Sequence, residues 1–281
     1  MSAVLYDVPG PRAIARNRLL NGVVALVFIG VVAWVIYRLN SSGQFQSRRW
    51  AQFQYTAIQQ QLLDGLLNTL KAAGIAAVFA LVFGAVFAAA RISDHKVIRA
   101  PATVVVELFR AIPLLILMFF FYYGSLQYHL GLSPMWAVVL GLTLYNGSVL
   151  AEIFRAGITA VPRGQREAAY ATGLRKNQVV RLILLPPIVS QLVVLLKDTA
   201  LGFIITYNEL LYVGKQMGGR LEFGFPYIPT YIVIAVIYIG LCSLLSILAR
   251  WLEGRSRRQL KVTGGPPPSA AESALPPEAT L

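Results

Sequence analysis

Residues 152–186 read EIFRAGITAVPRGQREAAYATGLRKNQVVRLILLP, a basic stretch between two long apolar segments. Within it, Glu167-Ala168-Ala169 is followed after three residues by Gly173, and after nine more by Ile183-x-Leu185-Pro186. Pro162 suits a first helical turn, where its missing N–H costs nothing. Gln165 to Thr172 are good helix formers. Gly173 is placed to close them in the left-handed conformation, with Leu174 beyond as the hydrophobic contact. A second helical run, Lys176 to Leu185, is expected to stop at Pro186-Pro187. The product is a short helix outside the membrane. Ala168, Ala169 and Ala171 allow close approach, and Arg163, Arg166, Glu167 and Arg175 put charge at its rim. Two readings stand: a solvated amphipathic loop on the membrane surface, or a handle gripped by another protein.

The rest of the chain is built for lipid. Of 281 residues, 57% are hydrophobic and 13% charged, with a mean hydropathy of +0.63. A soluble domain carries about a quarter charged residues. The net charge of +13 reflects Lys and Arg at the cytoplasmic side of a membrane protein, not a nucleic-acid partner. Cys242 is the single cysteine, which excludes an internal disulfide. His95 and His129 are far apart, so a His/Cys metal site lacks material. No Gly-x-x-x-x-Gly-Lys-[Ser/Thr] phosphate loop occurs.

A hydrocarbon core of about 30 Å takes roughly 20 apolar residues per helix. Six segments qualify, at about 19–37, 62–90, 102–126, 134–153, 182–206 and 227–249. The first is too long for a signal-peptide core, and Tyr37-Arg38-Leu39-Asn40 offers no A-x-A cleavage site, so it is read as a retained anchor. With the N-terminus inside, 17 Lys and Arg fall on the cytoplasmic side and five outside. That asymmetry places both termini and the Glu152–Pro186 loop in the cytosol.

In the second segment Gln61, Asp64, Asn68 and Lys71 form a polar stripe, either at the outer headgroups or lining a pore. Deeper, Ala73, Ala77, Ala80, Gly84 and Ala88 make a small-residue face expected to pack on another helix. The 1–18 tail, including Pro9-Gly10-Pro11, reads as unstructured, and 263–281, rich in Pro and Ala, as disordered. The loops are too short for a catalytic domain, since domains rarely fall below about 50 residues.

The 167–186 spacing resembles the EAA loop of the permease subunits of binding-protein-dependent ABC importers, matching at every interval. The resemblance implies a coupling helix that sits in a groove of the ATP-binding subunit, with Glu167, Ala168, Ala169, Gly173, Arg163 and Arg166 at the contact. Further stretches resemble importers of the histidine/glutamine/glutamate type: Gly65-Leu66-Leu67-Asn68-Thr69-Leu70, Glu107-Leu108-Phe109-Arg110-Ala111-Ile112-Pro113-Leu114-Leu115, Ala151-Glu152-Ile153-Phe154-Arg155 and Lys197-Asp198-Thr199-Ala200-Leu201. Together these cover about residues 60–252, with the EAA loop at 155–186 and an added helix at 19–39. One departure stands out. Where the family has on the order of eight further residues, roughly 12 Å of helix, Pro186-Pro187-Ile188-Val189 leads directly into Ser190-Gln191-Leu192. Either the hinge is shorter or the fifth span begins nearer the coupling helix.

Charges within apolar helices need partners. Lys197 and Asp198 are adjacent, hence about 100° apart around a helix, and cannot pair along one face. They line a pathway or gate, together with Thr199, or they pair between helices. Glu107 and Arg110 stand at i and i+3 and form a local ion pair, or else Arg110 faces the cavity. Asn146 is interhelical glue or pore lining. Pro113 should kink its helix.

These features give an all-α integral membrane protein of about six transmembrane helices, a five-helix ABC type I importer core plus one N-terminal helix. The resemblance implies a permease of a prokaryotic plasma membrane that carries a polar amino acid, best glutamate, glutamine or aspartate. Its partners would be an ABC ATP-binding subunit dimer, an extracytoplasmic substrate-binding protein and a second permease, homologous or identical. ATP would be bound by the partner, with no cofactor or catalytic residue in this chain. A secondary transporter and a small membrane enzyme are the other readings.

Overall fold

The computed structural model describes residues 10–159 and 176–261. Helix accounts for every long element among them. Helix α1, Pro11–Ser41, starts with Gly10 extended and Pro11 at the first helical position, where a fixed φ favours helix entry. Pro11 therefore opens the helix and is not part of an unstructured tail. No α1 residue is buried. A short helix α2, Ser47–Trp50, precedes α3, Thr56–Ile92.

The third apolar segment is not one straight span. Helices α4, Lys96–Ala111, and α5, Leu114–Gln127, meet at 95°. Ile112 is extended at φ −81°, ψ 127°, as a residue before proline prefers. Pro113 brings no N–H to continue the ladder. The expected kink is thus a break, and the two halves pass the hydropathy test only together, beside five continuous helices long and apolar enough to cross a membrane.

Helix α6 covers Pro134–Thr159 and α7 covers Lys176–Asp198. Pro186 and Pro187 lie inside α7, which corrects the expected stop at Leu185. A backbone surrounded by apolar groups has no water to turn to, so it keeps its remaining helical bonds. Beyond Asp198 the span tightens into a 3-10 turn, Thr199–Ile205, ended by Thr206 at φ 62°. Helix α8, Leu210–Gly218, occupies a region the sequence left as loop, and α9 runs Tyr227–Lys261.

The described chain divides into two compact units. One contains α1, α2, the start of α3 and residues 216–232. Its polar ties are Gln52 Nε2 donating to Thr230 Oγ1 at 2.9 Å and an Arg48 guanidinium donating to the Glu222 carbonyl at 3.1 Å.

The larger unit, described over residues 60–159, 176–215 and 233–261, has its core where α3, α5, α6 and α7 meet around Ala76, Ala80, Met118, Leu142, Leu150 and Leu195. The small-residue face of α3 is buried as expected, with Ala80 fully inaccessible and Ala88 at 2% exposure. Gly84 lies directly against α6: an added Cβ would meet Leu150 Cβ at 2.8 Å and the Gly147 carbonyl at 3.2 Å. Gly147 in turn accommodates the Phe83 ring, which would stand 2.9 Å from its Cβ. Without a hydrophobic drive between helices in lipid, such close dispersion contact holds them together.

Gly84→Ala should therefore lower the thermal midpoint of the detergent-solubilised subunit, with a cost of about 1–3 kcal/mol. Gly74→Ala on the same helix, where an added methyl meets nothing within 4 Å, should leave the midpoint unchanged or raise it.

Candidate functional site

The EAA-loop residues Arg163, Arg166, Glu167, Ala168, Ala169 and Gly173 lie outside the described residues. The structure does describe the helices that lead into and out of that segment, α6 and α7.

A polar chain links those two helices. Asn146 on α6 is fully buried. Its Oδ1 accepts from Gln191 Nε2 at 2.7 Å, and its Nδ2 faces Asp198 Oδ2 at 3.4 Å, both on α7. Asn146 is thus interhelical, and Gln191 is a partner the sequence did not reveal. Thr199 is also fully buried and donates to the Leu196 carbonyl at 2.6 Å.

Lys197 points elsewhere. It is exposed on the unit's surface while Asp198 is half-buried, as the angular offset between successive residues requires. It forms no ion pair among the described residues. Lys197 stands at least about 12 Å of helix from either end of the span Leu184–Ile205. A charge at that depth costs about 2.5–3.5 kcal/mol on insertion scales.

A second constellation joins α3, α4 and α6. The Arg91 side chain, 8% exposed, reaches Glu107 Oε1 at 3.0 Å and Glu152 Oε2 at 2.9 Å. Arg110 completes the pair with Glu107 at 3.1 Å, and Arg155 bonds Glu152 through two nitrogens. Arg110 is thus engaged in the local pair. Sequence reasoning counted Arg91 only as a topological charge and missed its partners. The repeated Glu-x-x-Arg at 107–110 and 152–155 was the available signal.

Glu209 was also missed. It is fully buried, between the spans that end at Ile205 and begin at Tyr227. Its carboxylate accepts from the N–H groups of Leu211 and Tyr212 at 2.8 and 2.7 Å, capping α8, and from the Tyr238 hydroxyl at 2.8 Å. Thr69 Oγ1 accepts the Leu210 N–H at 3.1 Å, and the Tyr207 hydroxyl donates to the Asn68 carbonyl at 2.8 Å. The polar stripe of α3 thus contributes Asn68 to this cluster, while Gln61, Asp64 and Lys71 are exposed. Burial pushes the Glu209 carboxyl up to about 7 despite its donors. Burial, with the nearby Glu209 charge adding to it, pushes the Tyr207 phenol up to about 12. No group of three or more His, Cys, Asp or Glu suited to a metal occurs among the described residues.

Residues 80–258 match the family model described as binding-protein-dependent transport system inner membrane component. The chain belongs to that family. This inner membrane component is 39% identical to the glutamate transport system permease protein GluD of Corynebacterium glutamicum, over 79% of this chain and 86% of the relative. It is 33% identical to the probable glutamine ABC transporter permease protein GlnP of Bacillus subtilis, over 69% of this chain and 93% of the relative. Among solved structures, an amino acid ABC transporter crystallised with histidines shares 28% identity at a TM-score of 0.64, covering 73% of this chain and 97% of that one. A methionine transporter, MetNI, shares the fold at 19% identity and a TM-score of 0.58. The inner membrane component is therefore a multi-pass plasma-membrane protein and a transport subunit of an ABC system.

Two consequences are measurable on the solubilised subunit. Arg91→Ala removes the buried cation and its two charge-assisted hydrogen bonds, while Glu107 and Glu152 keep Arg110 and Arg155, and should cost about 1.5–3 kcal/mol. Arg110→Ala removes only a half-exposed pair and should cost under about 1 kcal/mol. Glu209 has a raised folded pKa, so its neutral form is the favoured one. Its contribution is fully present below about 4.5, its ordinary value, and is lost as pH rises to about 7. The thermal midpoint should fall across that window, and Glu209→Gln should flatten the profile.

Proposed function

We propose that this subunit forms the membrane path of an importer for polar amino acids, with glutamate, glutamine or aspartate as cargo. The observation that carries the reading is the 39% identity to a glutamate permease over 79% of this chain. An extracytoplasmic binding protein delivers the solute, and a second permease, homologous or identical, completes the path. A dimer of ATP-binding subunits holds the ATP, and this chain supplies no cofactor and no catalytic group.

In this reading the Glu167–Gly173 segment, cytoplasmic with both termini, is the contact for the ATP-binding subunits, and Arg163 and Arg166 supply charge at its edge. Helices α6 and α7 flank it, so a displacement there is felt at once by the Asn146–Asp198–Gln191 link between them. Arg91 spreads the same displacement to α3 and α4 through Glu152 and Glu107. ATP then favours one packing of the helices and hydrolysis releases it, a shift set by the difference in binding to two states. Lys197 and Asp198 belong to the path or its gate, with Thr199 holding the turn beside them and Arg110 at its Glu107-bound end.

The test uses the complex purified with its native partners and reconstituted in vesicles. Gly173→Val should keep ATPase activity while abolishing uptake driven by the loaded binding protein. Unchanged uptake would overturn the coupling assignment.

A further inference from the structure

Helix α4 carries three different faces. Lys96, Arg99, Glu107 and Arg110, with Thr103 between them, recur every three or four residues and form one polar stripe along its whole length. Val97, Pro101, Val104 and Leu108 form a second stripe at the same spacing. That stripe is uncovered, with Val97 86%, Val104 66% and Leu108 52% exposed. The third face is buried through Ala102 and Val106, and α4 packs on α6. Phe109 on this side meets the Phe83 ring edge-on at 6.5 Å.

A helix that crosses a bilayer keeps its charges at its ends. In α4 they run from the first turn to the last. Pointed straight into hydrocarbon, α4 would carry Glu107 and Arg110 about 17 and 21 Å from Lys96. The far end is instead held near the boundary: Arg91, next to last in α3, reaches Glu107 Oε1 at 3.0 Å. The 95° turn at Ile112-Pro113 then sends α5 off across the direction of α4. A helix in the membrane interface lies about 5–10 Å into it. That leaves α5, 14 residues or about 21 Å long, to cross what remains of a core of about 30 Å.

We propose that α4 lies in the plane of the cytoplasmic leaflet, its Val97–Leu108 stripe among acyl chains and Lys96 and Arg99 on anionic phospholipid headgroups. Glu107 is already neutralised by Arg91 and Arg110. Lys96 and Arg99 make no ion pair among the described residues, and with the exposed Asp94 beside them the turn stays net positive. Basic side chains flanking an inserted apolar stripe are what an anionic membrane surface attracts. This placement rests on the proposed cytosolic position of the Glu167–Gly173 segment. Arg91 also holds Glu152 near the end of α6, which puts α4 on the same side as that segment. The hold of headgroups on α4 therefore reaches α6 through Arg91, so the lipid surface acts on the helix that leads into the coupling segment.

The experiment uses the complex with its native partners, reconstituted in phosphatidylcholine vesicles with or without phosphatidylglycerol. Nitroxides are attached at Val97→Cys, Val104→Cys and Leu108→Cys, one at a time, with every other cysteine of the complex replaced by serine. Their depths are read from collisions with oxygen and with an aqueous nickel complex. All three labels should meet oxygen, and the depths at 97 and 108 should differ by less than about 8 Å, against about 17 Å for a helix along the membrane normal. A larger difference overturns the in-plane placement. Labels shielded from both reagents overturn it too, since a second copy or another protein segment then covers α4. Glutamate uptake by the parent should rise at least about threefold with phosphatidylglycerol. Lys96→Gln with Arg99→Gln should lose that gain while matching the parent in phosphatidylcholine alone, and Lys96→Arg with Arg99→Lys should keep it. No gain in the parent, or a gain the glutamine variant keeps, overturns the headgroup contact. A parent that takes up no amino acid overturns the importer reading instead, and the depths still decide where α4 lies.

Discussion

A guanidinium withdrawn from water must be met by carboxylates at the right distance, and Arg91 imposes that condition on three helices at once. Glu107 on α4 and Glu152 on α6 both close on it near 3 Å. Because the Arg91 side chain is almost wholly buried, the ends of α3, α4 and α6 cannot separate without stranding charge. The small-residue contact at Gly84 and Gly147 brings α3 and α6 together farther along their length. That contact sets how closely the two helices approach, and the ion pairs hold their ends together. The flanking Arg110 and Arg155 neutralise the surplus on each glutamate from the same helix. The cluster is thus one joint with two local clamps.

Polar groups elsewhere in the large unit follow a similar division. Asn146 and Glu209 are buried and have partners on neighbouring elements. Each therefore specifies which elements meet, at the cost of a penalty should they part. Lys197 differs from these, carried within an apolar span with no ion pair among the described residues.

Much of this was legible in the residues. The Ala/Gly periodicity of α3 identified its packing face without a partner in view, because only small side chains permit such approach. The adjacency of Lys197 and Asp198 alone required them to diverge. Arg91 was illegible because its carboxylates lie 16 and 61 residues away, and nothing local marks a cation as buried. Pro113 announced a disturbance, but the 95° turn depends on how α4 and α5 pack on α6. Helix α8 was hidden because nine residues give too short a period to read, and its cap, Glu209, resembles any loop acid until Tyr238 is placed beside it. The stop rule for proline failed at Pro186-Pro187 for the opposite reason: it describes a chain with water available, and α7 has little.

That proline pair gives α7 a mechanical character of its own. Two carbonyls, those of Leu182 and Ile183, lack the N–H four residues on that every other turn supplies. The helix persists, yet bending it there is opposed by two fewer hydrogen bonds than elsewhere along it. It is less a rod than a crank, with stiff arms of about 15 Å and about 17 Å on either side of the pair. A displacement at the Lys176 end arrives at Lys197 as a change of tilt rather than a push along the axis. Two residues that deny the backbone its bonds thereby decide what kind of motion the membrane interior can receive.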